Sequence, residues 1–144
     1  PELKLEWVGK EEIYRHADLI SLHVPMIVQT KNMIRREQLL MMKPDAMIIN
    51  TSRGGIINEH DLAEVLGTAH LSGVAIDVFD QEPYNGALAQ IDRCLLTSHM
   101  GSMAIDCRTR MEIEATEEVV RFFTGKSLQG LVPREEYEVQ KQGL

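Results

Sequence analysis

The feature that most constrains this chain is a set of four short apolar runs, each bounded by turn formers or helix breakers. Leu19-Ile20-Ser21-Leu22-His23-Val24 stops at Pro25, and Ala46-Met47-Ile48-Ile49-Asn50 leads to the Gly54-Gly55 pair. Val74-Ala75-Ile76-Asp77-Val78-Phe79 follows Gly73, and Cys94-Leu95-Leu96-Thr97-Ser98 leads to His99. Runs this short, apolar on both pleat faces, read as strands buried on both sides, as in a parallel sheet. Parallel neighbours need crossover connections, and the segments between the runs carry helix signals. Arg36 to Met42 contains Leu39, Leu40 and Met42 among good helix formers and stops before Pro44. Asn58 can cap Glu59 to Thr68, with Glu59 and Asp61 in the first turn favouring the positive end of the helix dipole. Between Met103 and Thr124, the residues Met111, Ala115, Val119, Phe122 and Phe123 share one stripe that ends at Gly125. The expected class is α/β, a doubly wound parallel sheet with right-handed crossovers.

Composition narrows the function classes. The 144 residues are 44% hydrophobic and 26% charged, enough for a globular core in one domain. Fifteen Lys and Arg against 22 Asp and Glu give a formal charge of -7, which argues against a nucleic-acid partner. No apolar run approaches the roughly 18 residues of a membrane span, and residues 1–10 lack signal-peptide features, so a cytoplasmic chain is expected. Cys94 and Cys107 form neither a metal pair nor a Cys-x-x-Cys, so packing roles in a reducing compartment are expected, with no metal site. The chain opens on Pro1 and runs into Leu3, Leu5, Trp7 and Val8, which reads as cut from something longer, with Trp7 as a core anchor. Met41, Met42, Met47 and Met111 read as flexible core filler. Residues 1–130 form the expected domain, and residues 131–144 a charged, amide-rich tail, either an ordered return segment or a loose end.

Ligands on a parallel sheet bind beyond the carboxyl ends of its strands. Four segments follow the runs: His23-Val24-Pro25, Thr51-Ser52-Arg53-Gly54-Gly55, Asp77 through Glu82-Pro83, and His99-Met100-Gly101-Ser102. Arg, Asp, Glu and His thereby gather on one rim. Singly, each has an ordinary structural explanation. Arg53 can cap a helix or hold a surface carboxylate, Glu82 can be a solvated turn residue, and His99 can be a satisfied histidine at a helix start. His16, His60 and His70 lie outside these segments and read as surface or helix-end residues, while His23 reads as lining a cleft.

Three segments in order resemble the signatures of the D-isomer-specific 2-hydroxyacid dehydrogenases: Asn50 to Gly55, Gly73 to Pro83, and Thr97 to Ser102. Ala17 to Pro25 resembles the strand that precedes them in that family. The resemblance runs from about Ala17 to Gly125 and implies a Rossmann-like fold with NAD as cofactor. It also implies three catalytic roles. Arg53 would hold a 2-oxo acid through its planar fork, His99 would exchange the proton of the carbonyl oxygen, and Glu82 would bond the other ring nitrogen of the imidazole. Implied cofactor contacts are Val24, Pro25, Thr51, Ser52, Arg53, Asp77, His99, Gly101 and Ser102. At Gly101, a side chain would push the backbone away from the nicotinamide ring. Ser98 departs from the Pro common before the family's His, and Asn58-Glu59-His60 departs from the acidic, apolar run common there.

No two glycines stand two apart, so the chain has no Gly-x-Gly-x-x-Gly pyrophosphate cradle. In the resembled family that cradle lies on a first strand-helix unit, which would precede Pro1, and the expected architecture is therefore truncated. Two expectations follow from that truncation. The isolated chain binds NADH weakly and turns over negligibly, and the strand from Leu19 to Val24 is a bare edge that invites self-association or a homodimer. The parent's substrate is expected to be a small 2-hydroxy or 2-oxo acid, as in phosphoglycerate dehydrogenase-like enzymes. The alternative is an NAD-gated protein-interaction module of the C-terminal binding protein corepressor type, which keeps a similar trio.

Overall fold

The structure is a computed structural model and describes residues 5–141. In chain order the elements are α1 (Lys10–His16), β1 (Leu19–Leu22), α2 (Arg36–Met41), β2 (Met47–Asn50), α3 (Glu59–Gly67), β3 (Gly73–Ile76), a 3-10 turn (Ala87–Gln90), β4 (Cys94–Leu96), α4 (Ile105–Phe123) and α5 (Arg134–Lys141). The chain divides after Ser98 into two compact units.

In the first unit the four strands pair in parallel in the order β1-β2-β3-β4. This is the α/β parallel sheet expected from the sequence, and the register aligns its carboxyl ends. Leu22 pairs with Asn50, Asn50 with Ile76 and Ile76 with Leu96. The Asp77 N–H donates to Asn50 O and the Thr97 N–H to Ile76 O, both at 3.0 Å, so the ladder continues one step past the strands. His23, Thr51, Asp77 and Thr97 thus start their loops in one row.

Consecutive strands are neighbours, and right-handed crossovers then put every connecting helix on the same face. Burial follows that geometry. Ile20, Leu22, Ile48, Val74 and Ile76 point into a core completed by Leu39, Leu62, Val65, Leu66, Leu71 and Leu88, all six fully buried. On the opposite face Leu19, Met47 and Leu95 remain 51%, 48% and 66% exposed. The strands are therefore covered on one side only among the described residues, where their two-sided apolarity predicts both. β1 and β4 are the two edges of this sheet, so the edge expected at Leu19 to Val24 is present among the described residues.

Helix ends follow local chemistry. The Asn58 side chain accepts the Asp61 N–H at 3.0 Å, so the predicted cap of α3 is present. Beyond the other end of α3, Arg93 donates Nη1 to Leu71 O at 2.6 Å and Nη2 to Leu66 O, tying the segment before β4 to the end of α3. α1 has no counterpart in the apolar pattern, because only Tyr14 of its seven residues is buried. Its charges carry the signal instead, with Glu11 and Glu12 in the first turn and Arg15 and His16 in the last. Trp7 is 95% exposed and anchors no core among the described residues. Of the methionines read as filler, Met42 is buried and Met41 packs against the core, but Met47 and Met111 are about half exposed.

The second unit is helical. α4 has no buried residue, and Met111, Val119, Phe122 and Phe123 of its stripe are all exposed. Gly125 takes φ +69° and its N–H bonds Phe122 O at 3.3 Å, the expected left-handed stop. Glu118 Oε2 accepts the N–H groups of Gln129 and Gly130 at 2.9 and 3.2 Å and so orders the turn after α4. Of the tail, Arg134–Lys141 is helical, while residues 142–144 lie outside the described residues.

Candidate active site

The loop after β2 is organised by one buried side chain. Asn50, 2% exposed, accepts the Ser52 N–H at 3.1 Å and the Ser52 hydroxyl at 2.8 Å through Oδ1, and donates Nδ2 to Arg53 O at 3.0 Å. An asparagine two residues before Ser52 and three before Arg53 is an Asx-turn arrangement. It closes the chain tightly and leaves Arg53 exposed, with Nη1 donating to Ser52 O at 2.7 Å. Thr51 and Ser52 stand on the same turn, exposed and half-buried respectively.

The loop after β3 lies against the Arg53 turn, and Gly54 is the reason it can. A Cβ on Gly54 would stand 2.0 Å from Phe79 O, 2.1 Å from Phe79 C and 2.6 Å from Asp80 N. Gly55, with φ +74°, continues the approach, its Cβ position being 3.1 Å from Asp80 Oδ1. The Glu82 loop is internally braced as well. Glu82 Oε1 accepts the Phe79 N–H at 3.0 Å, Phe79 stacks on Tyr84 with ring centroids 4.2 Å apart, and Tyr84 Oη accepts the Leu88 N–H at 3.2 Å. The Glu82–Pro83 bond is cis, and Glu82 itself is exposed.

Asp77 is the buried carboxylate of the rim, 8% exposed, and its Oδ1 accepts the Thr97 hydroxyl. After β1, Val24 is half-buried and Pro25 exposed, and His23 Nε2 lies 2.8 Å from Ser21 Oγ. The first unit therefore collects Val24, Pro25, Thr51, Ser52, Arg53, Asp77 and Glu82 at one end of its sheet. His99, Gly101 and Ser102 belong to the second unit, ahead of α4. There His99 takes a left-handed φ of +54°, one of four non-glycine residues to do so among those described. A Cβ on Gly101 meets nothing within 4 Å, so no protein neighbour demands a glycine there.

Outside the rim, His16 sits at the end of α1 beside Glu12 at 3.4 Å, and His60 is exposed on α3. His70 Nε2 lies 3.0 Å from Leu39 O, a tie between the segment after α3 and α2. His60, Asp61 and Glu64 present ligand-type atoms close together, but Asp61 accepts the Arg36 N–H and Glu64 pairs with the Arg36 guanidinium at 2.9 Å.

Asn50, Gly54 and Thr97 are the residues that motif reading leaves without a role. Of these, Asn50 alone carries a local signal, its Asx spacing. The donor set suits the nicotinamide end of a dinucleotide: a buried carboxylate for an amide N–H, hydroxyls at Thr51 and Ser52 for a ribose, and an apolar wall at Val24 and Pro25. The glycine cradle for a pyrophosphate is absent from the sequence.

Comparison with known proteins agrees. The family model described as "D-isomer specific 2-hydroxyacid dehydrogenase, NAD binding domain" matches residues 1–101. A glyoxylate reductase of Korarchaeum cryptofilum is 34% identical over 145 residues, covering 99% of this chain and 44% of that protein. A D-3-phosphoglycerate dehydrogenase of Synechocystis is 39% identical over 113 residues, 78% of this chain and 20% of that one. A solved structure from Thermus thermophilus superposes with a TM-score of 0.86 at 32% identity, covering 92% of this chain and 43% of that one. The chain spans less than half the length of these relatives. The loop chemistry, the parallel sheet and the matched residues together assign it: the chain belongs to the D-isomer-specific 2-hydroxyacid dehydrogenase family and carries part of its NAD-binding domain.

Proposed function

We propose that this chain is the nicotinamide-side portion of an NAD-dependent oxidoreductase that interconverts a small 2-oxo acid and its D-2-hydroxy acid. The observation that carries the reading is the contact at Gly54 between the loop that holds Arg53, a cation for a carboxylate substrate, and the loop that holds Glu82, a carboxylate for a histidine. The likeness of Thr97 to Ser102 to the family's third signature supports an imidazole at His99 serving the same reaction.

NADH, when bound, supplies the hydride. Everything else falls to this chain's residues. Arg53 grips the substrate carboxylate and polarises its 2-oxo group with a fork that Lys cannot reproduce. His99, protonated, donates to the carbonyl oxygen as it becomes a hydroxyl, and in the reverse direction takes that proton back. Glu82 bonds the second ring nitrogen, fixes the tautomer and stabilises the imidazolium. Val24, Pro25, Thr51, Ser52, Asp77, Gly101 and Ser102, with Arg53 and His99, hold the nicotinamide and its ribose. In this reading residues 1–130 belong to the nucleotide-binding domain and 131–144 are a tail. In the same reading the protein is cytoplasmic and either forms a homodimer or self-associates through the exposed sheet edge.

The test is NADH oxidation by the full-length protein with a panel of 2-oxo acids. Glyoxylate, hydroxypyruvate or a close relative should be reduced, and Arg53→Lys should lower kcat/KM by about 100-fold through loss of the two-point grip. No oxidation with any acid would reject the enzyme in favour of the NAD-gated corepressor reading.

A further inference from the structure

Two carboxylates hold consecutive peptide N–H groups of the loop after β3. Glu82 Oε1 takes the Phe79 N–H at 3.0 Å, and Glu59 Oε1, in the first turn of α3, takes the Asp80 N–H at 2.7 Å. Gly54 packs against the peptide joining those two residues. That peptide is therefore fixed from three directions: by the Arg53 turn, by Glu82 and by α3. Glu59 is the one tie from an element that carries no residue of the proposed catalytic set.

We propose that Glu59 is a positioning residue for Glu82: its carboxylate anchors the loop at Asp80, and its charge acts on the Glu82 carboxylate across that loop. The proposal rests on the reading of Glu82 as the partner of His99. Asp80 and Tyr84 from the loop line one cleft with Glu59 and with His60 beside it on α3, and Glu82 holds the neighbouring peptide N–H. Arg36 of α2 is engaged with Asp61 and Glu64. Burial pushes the Glu59 carboxyl above the usual carboxylate range, the Asp80 N–H draws it back, and the charges of Asp80 and Glu82 push it up again. Coupling of this kind is reciprocal: what the Glu82 charge does to Glu59, the Glu59 charge does to Glu82. A glutamine can keep the hydrogen bond without the charge, and an alanine keeps neither.

Glu59→Gln and Glu59→Ala separate the two effects. In the 144-residue chain, amide exchange at Asp80 should stay within about threefold of wild type in E59Q and accelerate about tenfold or more in E59A. Carboxyl-carbon NMR titration should move the Glu82 midpoint to lower pH in E59Q. In the full-length protein, reducing a 2-oxo acid with NADH, E59Q should keep kcat at its optimum within about threefold, and E59A should lower it about tenfold. Unchanged Asp80 exchange in E59A overturns the anchor, and an unmoved Glu82 titration in E59Q overturns the charge effect. Exchange and titration do not depend on turnover, so they stand or fall separately from the enzymatic reading.

Discussion

Gly54→Ala is expected to remove about 2–3 kcal/mol of folding stability from this chain, a large effect for one methyl group. The added carbon would sit 2.0 Å from Phe79 O, inside the van der Waals envelope of a main-chain atom that cannot swing aside as a flexible side chain would. Either the Arg53 turn or the Glu82 loop has to move. Gly67→Ala is the matched control, since its Cβ position at the end of α3 has nothing within 4 Å. Alanine there should be neutral or stabilising by up to about 1 kcal/mol, as expected from helix propensity alone. Urea denaturation of the two variants measures the difference. Equal stabilities would mean that the two loops are not in contact, and the geometric basis of the site would be lost.

The second large effect is at His99. His99→Ala should lower kcat for 2-oxo acid reduction by the full-length protein by roughly 10²- to 10⁴-fold, the usual contribution of a positioned acid–base group. NADH affinity should change little by comparison, because the imidazole moves the proton and contributes only an edge of the cofactor site. Stopped-flow turnover and fluorescence titration of NADH check the two halves of that statement. A variant that retains more than about a tenth of wild-type turnover would remove His99 from the reaction.

The parallel sheet is legible in the sequence because its strands are short apolar runs with breakers between them, and β1 to β4 fall within those runs except for Gly73, the first residue of β3. The strands are shorter than the runs: β3 ends at Ile76, and the chain from Asp77 to Glu82 is a loop. Periodicity overlooks α1, whose seven residues bury a single tyrosine. It also misjudges Trp7, because hydrophobicity alone does not say that a neighbour is present to cover it. At the candidate site, residue type and order put Arg53, Asp77 and Glu82 in the loops after β2 and β3, where the structure has them. What they omit is what holds those residues. Gly54 matters through a main-chain approach to Phe79, and Glu59 through a bond to a peptide 21 positions away. Both depend on β2, β3 and α3 packing side by side, which no local pattern encodes.

Under the proposed function His99 and Glu82, 17 positions apart in the chain, act as one unit. A double-mutant cycle on kcat/KM in the full-length protein tests it, using Glu82→Gln, His99→Asn and the pair together. Strong non-additivity is expected, with the double variant no more than about threefold worse than the more damaged single variant. Losses that multiply, leaving the double variant at the product of the two single effects, would show independent roles and contradict it.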